Sequence, residues 1–437
     1  MLRPVHPVRM NIAPHIILSF ACLWCFLPAH LLADEPRGSG TPEIPAALRP
    51  DSPEVPPERN GLSRFLSGFT PLAPAQSMLY RESLKALRDG KPLDQPELLE
   101  SLVRIHQQAK KLLVPPLAFT GNEQSGTFSA ALIRLFQGTE ILARQALANG
   151  NRPAADAYLG DLEQWSLMLR NAQPNLIQWV VSQYGWRTSL NCLLEDWQGH
   201  PDQTRRLAEI EALVQRHRTT TGELVEAAKG DARWEIKHGG IKGILSELPP
   251  SGRMTLFLRE PFAQLSAAEV LALPYDAEAD AERLLRDTID LLRCLEKQTA
   301  LTEWPVLRET HNGRELDHYR TIPNGLGELF SEQADRASGM QFWASALSRN
   351  PLAEAGLAWL KHERDGTEIT PDQFRDFRDP VDGKPLEIDR EARIIRCRGR
   401  NMKAGPPDPR SPAPPKAGYF SIGDDQALIV PRWKPAK

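Results

Sequence analysis

A mainly α-helical fold, an irregular helical-hairpin bundle or solenoid with a small C-terminal β module, is predicted by three observations. From Ser77 onward, and most strongly from Thr127 to His217, apolar residues recur at three- and four-residue spacing, the period of an amphipathic helix. Glycine and proline punctuate that stretch where helices would stop and restart. After Asp365 the apolar spacing shortens to every second residue, the period of a strand.

Residues 1–33 read as a signal peptide. Arg3 and Arg9 charge its start, Ile16 to Leu27 is apolar except for Ser19, and Ala29 and Ala33 offer small-residue exits. The run is shorter than the about 20 residues of a membrane helix, so cleavage is expected and no span in the mature chain. Retention as an anchor is the alternative, because Leu31, Leu32 and Ala33 lengthen the stretch. A lipid anchor at Cys22 fits less well, with Ser19 and Phe20 where a lipobox has an aliphatic and a small residue. The protein is therefore expected outside the cytoplasm, periplasmic or secreted. Residues 34–60 hold seven prolines among charges and glycines, a composition that buries too little apolar area to order itself, and read as a disordered linker.

Residues 61–365 form the predicted helical body. Short runs at 77–89 and 96–113 flank Gly90 and Pro92. Leu132, Leu135, Phe136 and Leu142 then stripe a helix that Asn149-Gly150 ends, and Pro153 starts the next at a position where its missing N–H costs little. That helix carries Tyr158, Leu162, Trp165 and Leu169. Another spans Asn175 to Trp197, and Gly199 and Pro201 repeat the punctuation before Leu207, Ile210 and Val214. Four helices joined by short turns make two antiparallel hairpins. The segment ALANGNRPAADAYLGDLEQW resembles a tetratricopeptide-type turn and second helix, without the fixed 34-residue period of a regular array. Residues 239–275 are irregular, a helix follows through Leu284, Leu285, Leu292 and Leu295, and 300–323 reads as loop. Two more helices are expected at 326–347 and 351–364. In the β module, 366–437, strands are expected around Leu386–Ile388, Ile394–Ile395 and Ala427–Val430, interrupted by a Pro/Gly tract from Gly405 to Pro415. The module is expected to be an appendage packed on the last helix.

The segment NPLAEAGLAWLKHERDGTEITPDQFRDFRDPVDGKPLEIDREARIIRCRGRN, with IPNGLGELF upstream and GDDQALIVPR downstream, resembles the C-terminal part of uncharacterised exported bacterial proteins that share a DPxxGKPL turn. More distantly it is similar to the globular part of type II secretion pseudopilins. The likeness begins near Asn324 and implies an architecture, with a secretion-apparatus accessory role as one functional alternative. Physically the motif is a turn: Pro380 fixes φ, Asp379 can hold backbone amides, and Gly383 can take positive φ. The chain departs from pseudopilins in having a signal-like start followed by a proline tract. Where those proteins bind calcium, it has MKAGPPDPRSPAPPKAG, with only Asp408 acidic; Asp424 and Asp425 fall short of six to eight oxygens, so calcium is not expected.

A net charge of −3 and the lack of a Lys/Arg-rich stripe argue against a nucleic-acid partner. No P-loop, GxGxxG or GxSxG motif appears, which removes nucleotide binding and the α/β-hydrolase class; the glycine loop KHGGIKG reads as a turn around His238. The densest polar segment, TEWPVLRETHNGRELDHYR, offers Glu303, Glu309, His311, Glu315, Asp317 and His318. His311, His318, Glu309 and Asp317 are the candidate metal ligands, but their spacing matches no zinc pattern and a solvated loop with local ion pairs is expected. No cofactor is expected. Trp165, Trp179, Trp186 and Trp197 are expected in the core rather than in an aromatic groove. Cys192, Cys294 and Cys397 are expected as buried thiols without a bridge, the count and spacing being wrong for a disulfide framework. The functional expectation is an exported scaffold or interaction protein, not an enzyme, meeting an envelope or secreted protein partner. A metal-dependent or hydrolytic enzyme using residues 303–318 is the alternative.

Overall fold

Capping side chains build the helix starts that the punctuation marks. A computed structural model of the chain describes residues 48, 55–56, 58–68, 74–119, 126–172, 174–200, 202–246, 248, 250–254, 258, 261–296, 315–333, 336–380, 383–397, 417–422 and 425–432. Residues 1–33, most of 34–60, and the Pro/Gly tract at 405–415 lie outside them. The described residues hold fourteen α-helices and one four-stranded sheet. The first eight helices are α1 (Gly61–Gly68), α2 (Pro74–Arg88), α3 (Pro96–Leu112), α4 (Gly126–Ala148), α5 (Arg152–Arg170), α6 (Leu176–Asp196), α7 (Gln203–Arg216) and α8 (Thr221–Lys237). Asn151, Asn175, Asp202 and Thr220 cap α5 to α8, each accepting a backbone N–H three residues on at 2.9–3.3 Å.

The α5–α6 pair sets the centre of the molecule. A Cβ at Gly185 would stand 2.3 Å from Ser166 Oγ and 2.7 Å from the Leu162 carbonyl oxygen, so only glycine lets the two backbones approach this closely. The gap is bridged by polar contacts: Trp186 N donates to Ser166 Oγ at 3.0 Å and Ser189 Oγ to the Leu159 carbonyl at 3.1 Å. Trp165, Trp179, Trp186 and Trp197 are all buried, in the core as expected.

The remaining helices are α9 (Gly240–Ser246), α10 (Ala267–Leu271), α11 (Ala277–Glu296), α12 (Leu316–Thr321), α13 (Gly325–Gln333) and α14 (Arg336–Arg364). The segment read as irregular thus holds two short helices and a core of its own, in which Ile241, Leu245, Met254 and Phe262 pack with Tyr319, Leu326 and Leu329. The expected break at Pro351 does not occur; Pro351 lies inside α14, and the boundary falls between Gln333 and Arg336. Proline costs the helix one N–H and a carbonyl clash. Burial of Leu352, Ala353, Ala355, Trp359 and Leu360 on the following turns outweighs that cost.

The sheet runs β1 (Glu387–Asp389), β2 (Ile394–Cys397), β4 (Asp425–Ile429), β3 (Gly418–Ile422) in spatial order, all antiparallel. Register pairs Ile388 with Ile395, Ile395 with Leu428, and Leu428 with Tyr419. The DPVDGKPL turn closes as expected, with Gly383 N donating to the Asp379 carbonyl at 2.8 Å and Asp379 N to the Lys384 carbonyl at 2.7 Å. The fourth strand, β3, goes beyond the sequence expectation. So does the packing. Leu386, Ile395, Cys397, Tyr419, Leu428 and Val430 share one continuous core with Trp186, Leu190, Leu194, Leu352 and Trp359, so the sheet is not an appendage. Side chains of α6 hold its backbone directly: Asn191 Oδ1 accepts from Tyr419 N at 2.8 Å, and, just past the end of α6, Trp197 Nε1 donates to the Arg432 carbonyl at 3.1 Å.

Two residues of the expected linker are packed as well. Leu48 is buried with Ala232, Ile236 and Leu284, its carbonyl accepting from Arg233 Nη1 at 3.0 Å. Asn60 is buried and holds both the N–H and the carbonyl of Ala118. Cys192, Cys294 and Cys397 are buried.

Candidate functional site

Of the polar residues expected between 303 and 318, Glu303, Glu309 and His311 lie outside the described residues. Glu315, Asp317 and His318 begin α12, which replaces part of the expected loop. Asp317 points to solvent and accepts from Arg320 Nη1 at 2.7 Å, a local pair one turn along the helix. The His318 ring meets Tyr319 edge-on at 5.3 Å. Among the described residues no three His, Cys, Asp or Glu side chains converge on a point where an ion would sit.

The best-built polar cluster lies elsewhere, where KHGGIKG meets the start of α11. Asp280 is almost fully buried there. Its Oδ1 accepts from Arg283 Nε at 2.7 Å and its Oδ2 from Ile241 N at 3.2 Å. The Tyr275 hydroxyl lies 2.7 Å from the Gly239 carbonyl and 3.3 Å from Asp280 Oδ2. Gly240 makes the cradle: its φ is +68°, and a Cβ there would strike the Tyr275 hydroxyl and Asp280 Oδ2 at 2.2 and 2.4 Å. Arg283 also reaches Glu235 Oε1 at 2.9 Å and Asp287 Oδ2 at 3.3 Å, and Ser331 Oγ donates to Asp287 at 2.9 Å. One guanidinium therefore serves three carboxylates. Burial pushes the Glu235 carboxyl above its ordinary value; Arg283 opposes this, and the charges of Asp280 and Asp287 add to it. Beside them Asn324 is buried with neither side-chain polar atom hydrogen bonded. In this cluster the guanidinium occupies the centre that a cation would take.

Two further polar clusters tie distant helices. Glu140, on α4, accepts from Arg88 Nη2 and Arg144 Nε at 2.8 Å each and from the Tyr184 hydroxyl at 3.0 Å. Arg144 continues to Glu195 with two nitrogens. Burial alone would raise the Glu140 carboxyl; the two arginines more than reverse this and hold it at about 2. His106, on α3, has Nε2 2.8 Å from Asp161 Oδ2 and Nδ1 3.2 Å from Thr139 Oγ1. The order carboxylate, imidazole, hydroxyl is that of a nucleophilic triad. Here the imidazole and the threonine are 5% and 1% exposed, and rings of Tyr158 and Trp165 pack on the imidazole at 5.0 and 5.1 Å, so no substrate reaches the hydroxyl. Burial lowers the His106 pKa while Asp161 opposes the change. This is a helix tie joining α3, α4 and α5. His238, at the glycine loop, caps α8 with its ring against Trp234 at 4.5 Å, the turn role expected of it.

None of these clusters is visible as a motif, because their partners stand about fifty residues apart: Arg88 and Glu140, Arg144 and Glu195, Glu235 and Arg283. The available signal is a charged residue on an otherwise apolar helix stripe, as with Glu140 and Arg144 among Phe136, Ile141 and Ala143. Compared with protein-family models, curated proteins and solved structures, the chain matches none.

Proposed function

We propose that this is an exported helical scaffold that presents its hairpin surface to a protein partner of the cell envelope or the secreted fraction. The observation carrying the reading is the use of the buried carboxylates. Glu140 clamps α2, α4 and α6 and stays ionised, and Asp280 clamps α11 to the α8–α9 turn, so these acids serve rigidity rather than proton transfer. The shared core of helices and sheet adds to that rigidity, which suits a surface that must hold its shape while another protein docks. Export rests on the Arg3–Ala33 segment and on the likeness of the C-terminal quarter to exported bacterial proteins.

The test is photo-crosslinking in living cells from exposed positions on two hairpin helices, Ala157 on α5 and Ala208 on α7, with Lys384 on the sheet turn as control. A discrete adduct from at least one hairpin position, absent from Lys384, is expected on a chain whose mature terminus is Asp34, with His30 as second choice. No adduct from any hairpin position, or a soluble cytoplasmic product that keeps Met1, would refute the reading.

A further inference from the structure

Six arginines are buried among the described residues: Arg144, Arg170, Arg206, Arg233, Arg283 and Arg349. Five of them face a carboxylate. Arg144 has Glu140, Arg170 has Glu223, Arg206 has Asp196, Arg233 has Glu226 and Arg283 has Asp280. Arg349, on α14, is the exception. It is 6% exposed, and its Nε and Nη1 are buried with no acceptor. Its surroundings add positive charge. The second guanidinium close enough to act on it is that of Arg187, on α6, which lies over the Tyr184 ring at 5.3 Å and has no carboxylate partner among the described residues. Burial, and then Arg187, pull Arg349 down to about 9, which still leaves it charged at neutral pH. Two acids beside the flanking tyrosines, Tyr184 and Tyr419, are committed. Glu140 is held by Arg88 and Arg144, and Glu354, which faces Tyr419, is paired with Arg218 at 3.2 Å.

The backbone around Arg349 is fixed from the sheet side. The Tyr419 hydroxyl donates to the backbone carbonyl of Arg349, tying β3 to α14, and Tyr419 packs edge-on against Trp186 at 6.2 Å. Arg187 is only partly covered, so this residue still meets solvent. An isolated buried cation is unfavourable unless a counter-charge reaches it, and guanidinium forks match the oxygens of carboxylates and phosphates.

We propose that Arg187 and Arg349 form a binding site for a small oxyanion, the carboxylate or phosphate head of a ligand, between α6, α14 and β3. The site is independent of the scaffold reading and would give the envelope-facing body a small-molecule ligand. The bound anion supplies the counter-charge that the fold omits and links the helical hairpins to the sheet.

The full chain is titrated with sodium phosphate and, separately, sodium acetate, at ionic strength held constant with sodium chloride, and followed by thermal melting and calorimetry. A saturable rise in Tm is expected for at least one of the two. Saturation with phosphate alone identifies a phosphate head, and saturation with acetate alone a carboxylate. Arg349→Met should abolish the response without lowering the Tm of the anion-free protein, since it removes an uncompensated charge. Arg187→Gln, at a partly exposed position where folding is not at stake, should weaken binding at least tenfold. No saturable response to either anion, or one that survives in Arg187→Gln, overturns the proposal.

Discussion

Replacing Glu140 by glutamine keeps the shape of the side chain and removes its charge, so the substitution isolates what the carboxylate does. Glu140 is 1% exposed and accepts from Arg88, Arg144 and Tyr184. Its carboxyl is held at about 2, against an ordinary 4.5. A folded-state value below the unfolded one means stability that is present above pH 4.5 and is lost as the pH falls toward 2. The difference corresponds to about 3 kcal/mol at neutral pH, in line with the cost of breaking one side of a buried ion pair. Some of that cost is softened, because Arg88 is half exposed and can turn to water, while Arg144 keeps Glu195. Urea unfolding followed by tryptophan fluorescence gives the comparison. At pH 7 Glu140→Gln should be less stable by about 3 kcal/mol, and at pH 3.5 the gap should narrow by about 1 kcal/mol, as the native protein begins to lose what the variant never had. A gap under 1 kcal/mol at pH 7, or one unchanged at pH 3.5, would show that the clamp is not electrostatic.

Two other outcomes follow from packing. Gly185→Ala should lower the urea midpoint, by an amount equivalent to about 1–3 kcal/mol, because its methyl group must displace Ser166 Oγ and the Leu162 carbonyl; an unchanged midpoint would mean that the two helices are not in close contact. Truncation after Gly366 should abolish cooperative unfolding and expose surface that binds a hydrophobic dye, since Trp186, Leu190 and Trp359 lose their cover from the sheet; a sharp transition at the original temperature would restore the view of the sheet as an appendage.

The helical frame was legible because its signals are local. Asn151, Asn175 and Asp202 lie next to the turns they cap, and each acts on a backbone amide three residues away. Where the structure depends on partners far along the chain, local signals mislead. Pro351 looks like a break until Leu352, Ala355 and Trp359 find their cover. The strand Gly418–Ile422 follows a proline tract and pairs only with β4. At the end of the dense polar run, Asp317 accepts from Arg320, three residues on. Sparse charges on apolar stripes gave the buried clusters instead. Arg349, a lone cation on a helix whose next turns carry Leu352, Ala353 and Ala355, left no mark in any motif.

The contacts from α6 to the sheet also dictate when the molecule can be finished. Asn191 waits for Tyr419, 228 positions later, and Trp197 waits for Arg432, 235 positions later. At ribosomal speeds of about 5–20 residues per second, that interval is on the order of tens of seconds. Throughout it Trp186, Leu190 and Leu194 have emerged while the strands that cover them have not. The α5–α6 hairpin, helical and local, forms early. Its apolar outer face stays bare until the last few dozen residues arrive, and during that interval it is open to misassembly.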